Sequence, residues 1–271
     1  MQFESAKAEL FADTQADGTH QNIARTCLIL EVLAASGKKG LRLTDVMQKT
    51  ELKKTVVHRA LTGLVRHRLA SFDKGSSRYF LGDRIFSWLE KAKERFGLAE
   101  RVKPYIRSIA DDVEDTCIFC IMRDDEMICY ARAEGSFPVR TLTLHVGSRR
   151  PLGVGSGSLA IAAFLPEQRL VDLIATRREE RLYFGIDDEY MLRNIAETRK
   201  RGYALHEGLF AKDMAGLGMP VRNTAGNVVA AISINALRSR LEANRLEILL
   251  PRMWQEVSLI EKDLGHLLDE L

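Results

Sequence analysis

Leu52-Lys53-Lys54-Thr55-Val56-Val57-His58-Arg59-Ala60-Leu61 carries two chemistries on one stretch of chain. Leu52, Val56, Val57, Ala60, Leu61, Leu64 and Val65 fall on a single stripe at helical spacing, which predicts a helix over 52–68 with one buried side. Its other side carries Lys53, Lys54, Thr55, His58, Arg59 and Thr62, all able to meet anions or hydrogen-bonding edges.

Upstream, Ile23, Cys27, Leu30 and Ala34 repeat at helical spacing and predict a helix over 20–35, ended by Gly37-Lys38-Lys39-Gly40. Thr44 is the expected N-cap of a short second helix with Val46 and Met47 apolar, and Thr50-Glu51 is the turn into the third. Downstream, the alternating segments 69–72 and 78–81 flank Asp73-Lys74-Gly75-Ser76-Ser77, a strong turn signal, so a β-hairpin follows. Three helices, a tight turn before the third and then a hairpin form the order of a winged helix-turn-helix domain, expected over 20–82. The third helix then presents its basic side to the major groove of double-stranded operator DNA. Thr55, His58 and Arg59 are candidates for base edges or phosphate, Lys53 and Lys54 for phosphate, with Thr62 on the same face. Lys74 and Arg78 sit on a wing that can reach phosphate or the minor groove. Each of these residues has an ordinary alternative on a solvated surface; the combination of element order, basic face and glycine-tipped hairpin favours DNA.

Charge agrees. Residues 20–90 hold 13 Lys and Arg against 6 Asp and Glu, a net +7, although the whole chain of 271 residues carries only +3. A basic first third fits contact with a polyanion. The length suits two domains, and 46% hydrophobic residues is globular composition. No apolar run approaches the roughly 18 residues of a membrane span. Residues 1–18 are acidic and lack an apolar core, unlike a signal peptide, so 1–19 is expected to be a disordered arm. The four cysteines make no disulfide framework, and the expected compartment is cytoplasmic. Cys117 and Cys120 form a lone CxxC on a predicted strand, where positions three apart point to opposite faces, so no metal site is expected.

Residues 83–96 read as a linker helix with Ile85, Trp88, Leu89, Ala92 and Phe96 along one side, a stripe that packs on a second copy or on the following domain. That second domain, 97–271, reads as α+β. Helices are expected over 100–114, 158–165, 166–176 and 187–201, strands over 116–122, 127–132, 216–222 and 228–236, a strand-and-loop region over 138–146, and a helical tail in which Pro251 starts a new helix.

At this level of detail the chain resembles the IclR family of bacterial transcription regulators from about Asn22 onward. The stretch 52–61 is similar to the family's recognition helix, with Thr55 in the serine slot and the His58-Arg59 pair. Arg78-Tyr79-Phe80-Leu81-Gly82 resembles the wing exit, and Val146-Gly147-Ser148-Arg149-Arg150-Pro151-Leu152 the start of the effector loop. Ala163-Phe164-Leu165-Pro166, Arg201-Gly202-Tyr203, Pro220-Val221 and the glycine turn before Val228 also fit. The resemblance implies a GAF-like effector-binding domain, homodimers or tetramers, and control of carbon-source genes by a small organic acid, with no cofactor. The sequence departs from the family at Gly153-Val154-Gly155-Ser156, where His-Ala-Thr-Ala is common. It departs again at Gly216, a frequent cysteine position, and at Asn235-Ala236-Leu237. This glycine-rich version resembles regulators of aromatic-acid breakdown, which points to an aromatic carboxylate.

The effector site is expected between two segments. One is Gly153, Gly155, Ser156 and Ser158, running into a helix N-terminus that can cradle an anion. The other is Asp213, Met214, Ala215 and Gly216 with Ser233 and Asn235, which lie two apart on a strand and so share a face. Ser233 and Asn235 either bind an acid or cap neighbouring backbone. A dinucleotide fingerprint would need glycine where Ser158 stands. An enzyme remains the second function class, with Ser156, Ser158 and Ser233 as nucleophiles and His145 and His206 as bases, though no nucleophile elbow is evident. A non-DNA interaction protein is the third.

Overall fold

The computed structural model describes residues 21–95, 97–139, 144–208 and 212–271. The arm expected over 1–19 and part of the region expected over 138–146 lie outside the described residues. The chain divides into two compact units at Arg95/Phe96.

The first unit contains α1 (Gln21–Ser36), a 3-10 turn (Gly37–Lys39), α2 (Leu43–Thr50), α3 (Lys54–Arg66), β1 (Ala70–Asp73), β2 (Arg78–Leu81) and α4 (Arg84–Arg95). Ile29, Val32 and Leu33 of α1 bury against Val46 of α2 and against Val57, Leu61 and Leu64 of α3. Each such side chain contributes roughly 1.5–3 kcal/mol by leaving water, and together they fix the angle at which α3 turns its other side outward. Thr44 does not cap α2. Arg42 takes that position, and its N–H donates to Asp45 Oδ2 at 2.9 Å, so a carboxylate inside the first turn satisfies the helix start. Helix α3 begins two residues later than its stripe suggests, because Glu51 is left-handed (φ 56°) and Lys53 is extended. The hairpin gains a third partner through Leu41, which exchanges two backbone hydrogen bonds with Tyr79.

The second unit contains α5 (Gly97–Val113), β3 (Thr116–Arg123), β4 (Glu126–Ala133), β5 (Arg149–Pro151), α6 (Ser156–Ala162), α7 (Glu167–Thr176), α8 (Arg178–Tyr183), α9 (Asp188–Arg201), β6 (Ala204–Glu207), β7 (Met214–Arg222), β8 (Val228–Leu237) and α10 (Ala243–Leu268). Six strands form one antiparallel sheet in the order β5-β4-β3-β8-β7-β6. One face packs on α5 and α10 through Cys117, Phe119, Leu217, Met219, Ile232 and Ile234. The other packs on α6, α7 and α9 through Ile118, Cys120, Cys129 and Ala231. Cys117 and Cys120 therefore do lie on opposite faces. Burial pushes all three sheet thiols far above their ordinary pKa, Cys129 to about 12, leaving them un-ionised.

Three sequence expectations are corrected here. Pro251 does not start a helix: α10 runs through it, and because Pro251 is exposed, the carbonyl its missing N–H would have bonded can face water. Helix α6 starts at Ser156, not Ser158. Strands β5 and β6 and helix α8 are additional, each six residues or shorter and so with little periodicity to read.

Candidate functional sites

On α3, Lys53, Lys54, Thr55, His58, Arg59 and Thr62 are all exposed, opposite the buried Val57, Leu61 and Leu64. Thr62 Oγ1 donates to His58 O at 2.8 Å, so that hydroxyl keeps only its acceptor side outward. At the hairpin tip Lys74 is exposed, and Asp73 holds the turn by accepting from Gly75 N, Ser76 N and Ser76 Oγ, which keeps its carboxyl below the usual carboxylate range. The structure does not bring Arg78 to this outward set. Its Nη1 donates to Gly40 O at 2.9 Å and Lys39 O at 3.3 Å and stands 4.0 Å from Asp45, tying the wing to the α1–α2 connection. On α4, Phe86, Trp88 and Leu89 are exposed and Ile85 is half-buried; nothing is described for the Ala92 and Phe96 side chains.

In the second unit the sheet register assembles a polar row on the α6 face. His206 lies beside Gly216, Gly216 beside Asn235, and Asn235 beside Thr116. Neighbouring strands are roughly 4.8 Å apart, so His206 and Asn235 flank a position with no side chain of its own. Ser156 comes down on that position from α6. A Cβ on Gly216 would meet Ser156 Oγ at 2.5 Å, and that hydroxyl is buried with no hydrogen-bond partner. Ser233, 3% exposed, stands one row along on the same face, with Asn235 Nδ2 at 3.5 Å from its hydroxyl. A Cβ on Gly218 would lie 2.3 Å from Ser156 O, so α6 meets β7 there main chain to main chain, and one on Gly157 would lie 2.9 Å from the Cys120 Sγ of β3.

The expected site residues thus divide. Ser156, Gly216, Ser233 and Asn235 come together. Ser158 does not join them: its hydroxyl donates to Pro151 O and accepts from Gly153 N, closing the loop before α6. Gly153 and Gly155 hold left-handed turns at φ 95° and 92°. Ala215 faces the opposite core, as alternation along β7 demands, Met214 is half-buried, and Asp213 is exposed.

Sequence reasoning missed Thr116 and Tyr190 and placed His206 only as a candidate base. His206 is 5% exposed; its Nε2 meets Tyr190 Oη at 3.2 Å, and burial drops its pKa to about 4, so the imidazole is neutral at neutral pH. The signal available was the alternation of Ala204 and His206 after the helix stop at Gly202. The nucleophile–base geometry of an enzyme is not assembled: among the described residues His206 bonds Tyr190, His145 contacts Arg132, and neither meets one of the three serines. Among the described residues there is no cluster of metal-ligating side chains, and no helix is long and apolar enough to cross a membrane.

Two family models match the chain: the IclR helix-turn-helix domain over residues 22–74 and the bacterial transcriptional regulator IclR C-terminal domain over 90–260. A probable transcriptional regulator, SauR of Cupriavidus necator, is 27% identical over 236 residues, covering 86% of this chain and 93% of its own. The Thermotoga maritima IclR crystal structure superposes with a TM-score of 0.72 at 17% identity, over 90% of this chain and 98% of that one. An IclR homologue from Microbacterium hydrocarbonoxydans, complexed with 4-hydroxybenzoate, gives 0.70 at 19% identity, over 90% and 99%.

Proposed function

The chain belongs to the IclR family of bacterial transcriptional regulators, and from that premise we propose that it is a cytoplasmic homodimer or tetramer that releases or engages operator DNA when its second unit binds a small aromatic carboxylate. The family consists of ligand-responsive DNA-binding regulators, not enzymes. The observation that carries the DNA half of the proposal is the unbroken exposed face of α3, in which Lys53, Lys54, Thr55, His58 and Arg59 stand clear of the core. The wing adds Lys74 to that face, and Arg78 supports it from behind.

For the ligand half, the support is the row His206, Gly216, Asn235 and Thr116 with Ser156 above it, since buried polar groups need partners and one here has none. An aromatic acid bound there would set its oxygens on Ser156, Ser233, Asn235 and His206. The main-chain N–H groups of Gly155 and Ser156 would join the carboxylate contacts. The structural neighbour named with 4-hydroxybenzoate supports this ligand class. Dimerisation is assigned to the exposed α4 stripe of Phe86, Trp88 and Leu89, as two-fold dimers read paired half-sites. The genes controlled are those of catabolism of the bound acid.

The test is an electrophoretic shift with DNA from the protein's own gene neighbourhood, with and without a panel of aromatic acids. Wild type shifts one operator, and one acid changes the shift. Ser233→Ala and Asn235→Ala keep the shift and lose the acid's influence. Native acid response in both variants overturns the pocket assignment, and Leu89→Glu at native sedimentation mass overturns the α4 seam.

A further inference from the structure

The wing carries an aromatic residue that the functional reading leaves unused. Phe72 lies on β1, 40% exposed, with its ring centroid 4.6 Å from that of Tyr79. The two are direct partners across the hairpin and share a face with Ala70 and Leu81. That face is the one turned to α3: Ala70 is buried in the same cluster as Leu61 and Leu64, and Tyr79 packs against that cluster. Phe72 stands one pair nearer the tip, where the core has ended, so much of its ring is left to solvent. The segment around it is held from three directions. Tyr79 exchanges two backbone hydrogen bonds with Leu41, Arg78 donates to the Gly40 and Lys39 carbonyls, and the Asp73 carboxylate is turned into the hairpin loop, accepting from Gly75 N, Ser76 N and Ser76 Oγ. An apolar surface held in place in this way loses little conformational entropy when something covers it.

Dimensions decide what that cover is. Phe72 precedes Lys74 by two residues, roughly 7 Å along a strand. The minor groove of a DNA duplex is about 7.5 Å deep and about 6 Å wide, whereas two paired strands stand about 4.8 Å apart before their side chains are added. Only the turn, residues 74–77, is therefore narrow enough to enter such a groove, and when it reaches the floor the Phe72–Tyr79 pair stops at the rim. The surface there is deoxyribose, the least polar part of the backbone. Wedging between base pairs would need the ring at the floor of the groove, and the same lengths keep it out. We propose that Phe72 packs on deoxyribose at the rim of the minor groove while Lys74, exposed at the tip, meets the groove and its phosphates.

A duplex is favoured over a second copy of the chain as the cover, because the ring is close to an exposed cation and lies on the side of the hairpin that packs on α3, whose outer face carries Lys53, Lys54 and Arg59. The contact has a distinct signature. Deoxyribose is the same in every sequence, so the ring adds affinity without reading bases. It displaces no counterion, so its contribution does not change with salt, unlike that of a lysine on a phosphate.

The inference rests on the first unit being the DNA-binding unit, and the experiment separates the two. Full-length wild type, Phe72→Thr, which keeps a strand-favouring residue, and Lys74→Ala are titrated over a range of salt with the operator from the gene neighbourhood and with a random duplex. The operator complexes are then footprinted with hydroxyl radical, which attacks exposed deoxyribose. Phe72→Thr is expected to weaken both duplexes alike, by roughly three- to tenfold, to leave the slope of log affinity against log salt unchanged, and to lose protection of a short run of sugars in each half-site. Lys74→Ala is expected to lower that slope by about one. In the wild-type complex, with ring-labelled phenylalanine, nuclear Overhauser cross-peaks from the Phe72 ring to deoxyribose H4′ and H5′ are expected, a test that needs no substitution. Wild type that binds neither duplex defeats the DNA-binding reading itself. With wild type bound, native sugar protection in Phe72→Thr or absent cross-peaks defeats this inference alone, and a fall in the sedimentation mass of Phe72→Thr gives the ring to a second copy and overturns it too.

Discussion

Tyr190 Oη and His206 Nε2 stand 3.2 Å apart, joining α9 to β6, the outermost strand at one side of the sheet. An imidazole held neutral by burial is a pH liability with a definite sign. The folded pKa, about 4, lies below the ordinary 6.5, so the unfolded chain takes up a proton first as pH falls. Full stability is present above about pH 6.5, declines between there and about 4, and is independent of this group below that. At pH 5 the loss is about 2 kcal/mol. Urea unfolding of the second unit at pH 7.5 and 5 should show it, and His206→Gln should flatten the difference. A slope that survives the substitution belongs to another group.

Two glycines of the first unit should respond oppositely to alanine. A Cβ on Gly82 would lie 2.0 Å from Arg68 O at the wing exit, whereas one on Gly63, within α3, would meet nothing within 4 Å. Gly82→Ala is expected to destabilise the DNA-binding unit by about 1–3 kcal/mol or more. Gly63→Ala is expected to stabilise it by about 1 kcal/mol through helix propensity. Differential scanning calorimetry distinguishes the two; a lower melting temperature for Gly63→Ala would show that α3 needs the bare position.

Arg181 is wholly buried, donating to Leu173 O at 2.9 Å and Ile174 O at 2.6 Å and pairing with Asp188 at 3.1 Å. It closes the end of α7 with a side chain. Arg181→Ala leaves those carbonyls and Asp188 without their partner and should cost about 3–5 kcal/mol. Arg181→Lys, which cannot reach three acceptors in a planar fork, should recover only part of it. Full stability in the lysine variant would mean charge, not fork geometry, matters there.

On the face of α3 proposed to meet DNA, Arg59→Ala should weaken operator binding by about 1–3 kcal/mol and relax specificity. Lys54→Ala should weaken all duplexes alike and reduce the slope of log affinity against log salt by about one. Arg78→Ala should behave differently from both, lowering the melting temperature because its guanidinium bonds the Lys39 and Gly40 carbonyls. Native stability with a reduced salt slope would instead make Arg78 a phosphate contact.

What the sequence revealed and what it withheld follow from periodicity. The stripe of α3 and the apolar runs of β3, β7 and β8 are long enough to read, and they point to the winged head, the α+β second unit and the shared face of Ser233 and Asn235. The short elements β5, β6 and α8 offer too few residues for a period. His206 was consequently seen as an isolated titratable residue and not as a member of a row, since its neighbours Gly216, Asn235 and Thr116 are distant in sequence and meet only through strand order. Ser158 is hard to read for a related reason: a serine after glycines looks free until the loop it closes is known. Pro251 shows the limit of a local rule, as tertiary packing carries α10 straight through it.

Helix α6 meets β7 without intervening side chains at Gly218. A side chain can change rotamer to admit a guest; a carbonyl seated on a glycine has no such freedom. The gap between helix and sheet is therefore a fixed gauge. Enlarging Gly218 by a single methyl group changes the spacing of the whole layer, while much larger changes on the outer surface of the same unit leave it untouched. Variation among proteins built this way should accordingly be sparse at the Gly218 position and generous a few ångströms away.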